Sequence, residues 1–223
     1  MKIGNFFNIK NGFTLAEVLI TLVIIGVIAA LTITTVVSNV KKQEYVSRLK
    51  KAYQTLAAAT SAIIAEDGNP NASLGGWCNS GGNMFEKYKN RLQIVKDCGS
   101  GQGCFHDGNY RLLSGQFADD GWNLDRSGNM HKFVLTDGTQ IAMIYNTFVD
   151  NDTCTGTNWG SEDACGHFFV DINGSKGPNQ FGRDLFFFDL REGGLYPSSK
   201  SCTGGNYTYG CSGKVLRENA MNY

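Results

Sequence analysis

The chain has 223 residues and a formal charge of zero, with 20 basic and 20 acidic side chains. Its basic residues are scattered with no long Lys/Arg block, so composition gives no support to a nucleic-acid-binding stripe. With 42% apolar and 12% aromatic residues, the length suits one cored domain plus an accessory segment.

Residues 12 to 37 read GFTLAEVLITLVIIGVIAALTITTVV, and Glu17 is their only charge. From Val18 to Val37 there are about 20 uncharged residues, which at about 1.5 Å each span a hydrocarbon core of about 30 Å. A cleaved secretory signal fits less well, because Val27-Ile28-Ala29-Ala30 makes a poor small-x-small site and the apolar run continues past it. A plain signal anchor explains the length but not Glu17. An ionised side chain in mid-membrane costs roughly 3 kcal/mol, and the segment itself offers this one no partner.

The run Asn11-Gly12-Phe13-Thr14-Leu15-Ala16-Glu17-Val18-Leu19-Ile20 follows a short polar leader holding Lys2 and Lys10. Gly, Phe and Thr, then an acid four residues after the Phe, then a long apolar helix: this resembles the cleavage and methylation site of type IV prepilins and of type II secretion pseudopilins. The resemblance implies that a prepilin peptidase cuts after Gly12 and that Phe13 becomes an N-methylated terminus. It implies an apolar helix packed in the core of a filament, with other pilin or pseudopilin subunits and an inner-membrane assembly platform as partners. It also implies a partner for Glu17, the new ammonium of Phe13 on a neighbouring subunit, which would make the acid a register key for assembly. The expected location is the inner membrane, with the leader in the cytoplasm and the head in the periplasm or outside.

Two features depart from that pattern. Lys41, Lys42, Arg48, Lys50 and Lys51 follow the segment and outnumber Lys2 and Lys10 before it, against the positive-inside tendency. The cysteines beyond and the peptidase motif before outweigh this count. Thr34 stands where many pilins carry proline, so a less kinked helix is expected.

Past the apolar segment, Tyr45, Leu49, Ala52, Tyr53, Leu56, Thr60, Ile63 and Ile64 recur at three- and four-residue spacing and form one apolar stripe. A single helix from Phe13 to about Glu66, roughly 80 Å long, ends at Asp67-Gly68-Asn69-Pro70. Residues Gly68 to Asn83 read as a loop, and Met84 to Val95 as a short helix with Phe85, Tyr88, Leu92 and Val95 on one face. HKFVLTDGTQIAMIY reads as a hairpin turning at Asp137-Gly138, while HFFVDI and DLFFFDL read as buried strands. The fold class is therefore α+β and pilin-like: one long N-terminal helix on a small antiparallel head with disulfide-linked loops. Its expected divisions are a leader at 1–12, a membrane or filament-core helix at 13–38, a soluble half-helix at 39–66 and a periplasmic head at 67–223.

All seven cysteines lie beyond residue 77. Cys98 with Cys104, Cys154 with Cys165, and Cys202 with Cys211 flank short loops, a spacing that suits disulfides in an oxidising space. Zinc fits less well: there is no C-x-x-C, and His106, His131 and His167 are isolated. Cys78 is left as the unpaired candidate, or as one that changes places with Cys98 or Cys104.

Between the last two apolar runs lies DINGSKGPNQFGRD. Asp171, Asn173 and Ser175 alternate like the opening ligands of a calcium loop, and Asp184 stands ready to close it. Lys176 occupies the place of the EF-hand glycine and no Glu closes the loop, so a turn set by Asn173-Gly174 and stiffened by Pro178 competes with the ion. Some pseudopilins bind calcium in a C-terminal loop, and the phrase resembles segments of pseudopilin-like proteins. No cofactor is otherwise required.

Catalytic signatures are absent: there is no HExxH, G-x-S-x-G or P-loop. Pairs such as Asp119-Asp120, or Asp150 with Asp152, sit in Gly/Asn-rich stretches where acids are turn formers, and His106 and Asp107, as sequence neighbours, do not face each other usefully. The first expectation is a non-enzymatic pseudopilin of a type II secretion system. A minor pilin of a type IV pilus, serving adhesion, motility or DNA uptake, is the alternative, and a membrane-anchored extracytoplasmic enzyme or binding domain is the third reading.

Overall fold

The computed structural model describes residues 12–68, 70, 81–118, 123–145, 164–198, 202 and 211–223. The chain divides into two compact units, residues 1–41 and 42–223. Helix α1 (Leu15–Asp67) begins in the first and ends in the second. Gly68 closes it with a left-handed φ of 81° and an N–H to Ile64 O at 3.0 Å. Only glycine adopts that conformation at little cost.

In the first unit the large apolar side chains of α1, such as Ile20, Val23 and Leu31, are all exposed. Thr21, Thr32 and Thr34 turn their hydroxyls back onto the carbonyls of Val18, Ile28 and Leu31, so these hydroxyls are satisfied within the helix. The helix runs on through Thr34 without interruption.

The second unit is built on a six-stranded antiparallel meander in the order β1-β2-β3-β4-β5-β6. The strands are β1 (Ile94–Gly99), β2 (His131–Leu135), β3 (Gln140–Tyr145), β4 (Gly166–Asp171), β5 (Leu185–Arg191) and β6 (Gly194–Pro197). Helices α2 (Gly81–Lys89) and α3 (Cys211–Glu218) complete it. The hairpin at Asp137-Gly138 is formed, with Leu135 N–H on Thr139 O at 2.9 Å and Gly138 at φ 85°.

One face of the sheet carries Phe133, Ile141, Phe168, Val170, Phe186 and Phe188 against Leu49, Leu56 and Ile63 of α1 and Met84, Phe85 and Tyr88 of α2. Burying each such phenylalanine contributes about 1.5–3 kcal/mol. The expected stripe of α1 is the one that packs, with Val46 and Ala59 added to it. Thr60 joins the two helices, its hydroxyl 2.7 Å from that of Tyr88.

The opposite face carries Ala142, Phe169, Leu185 and Phe187. It is covered by Phe105, Tyr110, Leu112, Leu124 and Phe181, which come from irregular backbone. Strands β4 and β5 are thus buried on both sides, which is why their sequences are continuous apolar runs instead of alternating ones. The covering segment is pinned by Asp125, whose carboxylate accepts the N–H groups of Gly103, Cys104 and Phe105 at 2.8–3.0 Å. Buried Lys132 donates to the carbonyls of Asp125 and Ser127 at 2.6 and 2.7 Å.

Several expectations are corrected. The helix foreseen at Met84–Val95 stops at Lys89, and Gly81 to Asn83, read as loop, belong to it. Both Arg91 and Leu92 direct their N–H to Tyr88 O, which ends the helix, and Ile94-Val95 then enter β1 opposite β2. Val95 is exposed instead of facing the core. Strands β1 and β6 and helix α3 went unforeseen.

Candidate functional site

The N-terminal site is built from Gly12 to Val18. Thr14 is the N-cap of α1, since Val18 N–H bonds to its carbonyl at 3.2 Å. The Glu17 carboxylate oxygen Oε2 accepts both the Thr14 N–H and the Thr14 hydroxyl at 2.8 Å, while Glu17 N–H reaches back to Thr14 Oγ1 at 3.3 Å. This is a capping box, in which Thr at the cap and Glu three residues on satisfy each other's orphan donors. Glu17 therefore does have a partner within the segment, contrary to expectation. The T-x-x-E spacing was there to be read.

Gly12 and Phe13 precede the cap, and Phe13 is 88% exposed. A Cβ added at Gly12 would meet nothing within 4 Å. Among the described residues, neither local packing nor a left-handed backbone requires glycine at this position.

The second site is the turn between β4 and β5. Asp171 ends β4 and is fully buried. Its Oδ2 accepts the Tyr110 hydroxyl at 2.9 Å and its Oδ1 the Asn173 N–H at 3.1 Å. Asp184, also fully buried, accepts Gln180 N–H at 2.6 Å and Asn179 N–H at 2.7 Å. The covering segment delivers Tyr110 here because Arg111 pairs with Asn179 and Phe181 through backbone bonds of 3.0 and 2.8 Å.

Neither carboxylate has an ion-pair partner among the described residues. Burial, followed by the charge of Asp184, pushes the Asp171 carboxyl well above the usual carboxylate range. Burial likewise raises Asp184. Asn173 Nδ2 donates to Tyr45 Oη of α1 and to Gly177 O, each at 3.3 Å. Exposed Ser175 accepts Gln140 Nε2 at 3.1 Å. The side-chain oxygens of Gln140, Asn173 and Asn179 are buried with no hydrogen-bond partner. Carboxylate and amide oxygens are the donor types that a hard cation takes. Among the described residues no three His, Cys, Asp or Glu side chains converge as a group that could hold a metal ion.

Other expected residues are placed as follows. Cys98 bridges to Cys104 and Cys202 to Cys211. Cys165 is disulfide-bonded to a partner outside the described residues, where Cys78 and Cys154 also lie. Asp119, Asp120, Asp150 and Asp152 fall outside them too. Asp107 turns to Arg126 at 2.9 Å, so the His106-Asp107 neighbours form no dyad. His131 and His167 are not isolated: the first meets Asp97 at 2.8 Å and the second meets its cross-strand partner Asp189 at 3.0 Å. Only strand register brings these pairs together.

A family model described as the prokaryotic N-terminal methylation motif matches residues 8–33. No curated protein and no solved structure matches the chain. The motif, with one helix long and apolar enough to cross a membrane, supports a type IV pilin-like subunit of the kind that prepilin peptidase processes. It supports membrane anchoring and a structural role in an extracytoplasmic filament.

Proposed function

We propose that this chain is a pseudopilin of a type II protein secretion system, cut after Gly12, N-methylated at Phe13 and assembled from the inner membrane through the first part of α1. The observation that carries this reading is the methylation motif at residues 8–33, which takes in the start of α1, where the large apolar side chains up to Val40 are all left exposed. A glycine that its own fold does not need and disulfides in the head support it, the first as a peptidase signal and the second as a mark of an oxidising compartment. Glu17 acts as the register key: its Oε2 serves the capping box, and its charge is met by the Phe13 ammonium of the next subunit.

Intact-mass analysis of the mature protein tests the processing. A terminus at methyl-Phe13 is expected, whereas an intact Met1 or a cut near Ala30 removes the pilin reading. Deleting the gene tests the machine: lost secretion with intact surface pili is expected, and the reverse makes the chain a minor pilin of a type IV pilus. Glu17→Ala should be poorly incorporated at equal membrane level, and incorporation equal to wild type would sink the register role.

The β4–β5 turn, on this reading, takes a calcium ion, held by Asp171, Asn173, Ser175 and Asp184. Its positive charge would offset two buried carboxylates and hold the turn closed. Chelator should lower the melting temperature of the head, and an unchanged melt argues against the ion.

A further inference from the structure

We infer that Gln140, a residue of β3 outside the Asp171–Asp184 segment, supplies an oxygen to the cation site, and that Ser175 is a positioning residue that aims it. This rests on the calcium reading above, and it replaces the sequence-based ligand Ser175 with a residue 35 positions away.

Register places Gln140 there. It pairs with Asp171 across β3 and β4, so the two side chains leave the sheet on one face, with Cβ atoms about 5 Å apart. Gln140 is 7% exposed, and its Oε1 is buried without a donor. Its Nε2 is spoken for, donating to Ser175 Oγ at 3.1 Å. In this orientation the oxygen is the end of the amide left without a partner.

The turn is shaped to press on this amide. Gly174 has φ 69°, and a Cβ there would lie 3.2 Å from Gly138 O and 3.5 Å from Gln140 Nε2. The other orphan oxygens belong to Asn173 and Asn179, whose own N–H groups bond Asp171 and Asp184. Arg183 Nε is the one buried donor of this turn left without a partner among the described residues, so three orphan oxygens face a single orphan N–H. A proton would neutralise one carboxylate and satisfy one acceptor; a divalent cation with six to eight oxygen ligands can meet all three amides and both acids. Such an ion would also tie the start of β3 to the turn.

The test is calorimetric titration of the full chain in detergent micelles with calcium chloride, beside thermal melts in chelator. Gln140→Met keeps the length and shape of the side chain while removing the oxygen. It should weaken calcium binding by about tenfold or more, with a melting temperature in chelator equal to or above wild type. Ser175→Ala should weaken binding by a smaller factor, and Gln140→Asn, which draws the amide back, should behave like Gln140→Met. If wild type binds and Gln140→Met binds equally well, or if its loss appears equally in chelator, the inference is overturned while the calcium site stands. A wild type that takes up no calcium overturns the calcium reading and this inference with it.

Discussion

The two units of the chain treat apolar surface in opposite ways. In residues 15–41 of α1 the large apolar side chains are all left uncovered, and the only polar side chains at the helix start are folded back on one another. In residues 42–223 the chain covers both faces of its own sheet, so that Phe168, Phe169, Phe187 and Phe188 are each at most 1% exposed. The same residue types therefore serve different ends: one set stabilises the subunit, and the other can be stabilised only by lipid or by other chains.

Paired truncations on one helix would break this contrast most directly. Leu49→Ala should cost the head about 2–5 kcal/mol, because Leu49 is fully buried. Leu22→Ala, at a position 60% exposed, should change head stability by no more than about 0.5 kcal/mol. Denaturant unfolding followed by near-ultraviolet circular dichroism measures both, and equal losses would erase the distinction.

A smaller effect is expected at the helix start. Thr14→Ala removes the cap and should cost about 1 kcal/mol locally, speeding exchange of the Leu15 to Val18 amides roughly fivefold. Exchange in micelles reads this, and head melting should not move.

The smallest concerns the β2–β3 turn. Burial alone would raise the Asp137 carboxyl, but the Lys51 ammonium at 2.9 Å and the Thr139 N–H outweigh it, and its pKa falls below the ordinary 3.8. A depressed folded-state pKa adds stability above the unfolded value that is lost as pH falls through the folded one. Asp137→Asn should therefore be less stable than wild type at pH near 7 by about 0.5 kcal/mol, since Lys51 is largely exposed, and the gap should close in strong acid. A gap independent of pH would assign the effect to the turn's shape instead.

How far the sequence could be read follows the same division. The apolar helix, its stripe, the Asp137-Gly138 hairpin and the two phenylalanine-rich strands each carry their own period or turn, and each is where it was expected. Strand β1 was misread because Leu92 and Val95 continue the helical spacing of Phe85 and Tyr88, while its real partner lies some 40 residues on in β2. Strand β6, four residues including Pro197, and α3, opening Cys-Ser-Gly, are too short or too weak locally to announce themselves. The segment over the outer face has no period at all, so Phe105, Tyr110 and Leu112 look like loop residues until the sheet exists. At the candidate sites, local spacing singled out Gly12, Phe13, Glu17, Asp171 and Asp184. Gln140 was not, because its place depends on which strand lies beside which.

The capping box at Thr14 and Glu17 bears on how such a subunit is matured. Its bonds use the amide nitrogen, hydroxyl and carboxylate of these two residues and nothing from residue 13 backwards. Removing residues 1–12 and methylating the exposed nitrogen of Phe13 would leave every one of those bonds intact. With those bonds kept, the helix start would need no rewinding after such a cut, and what would change is only the charge set beside it.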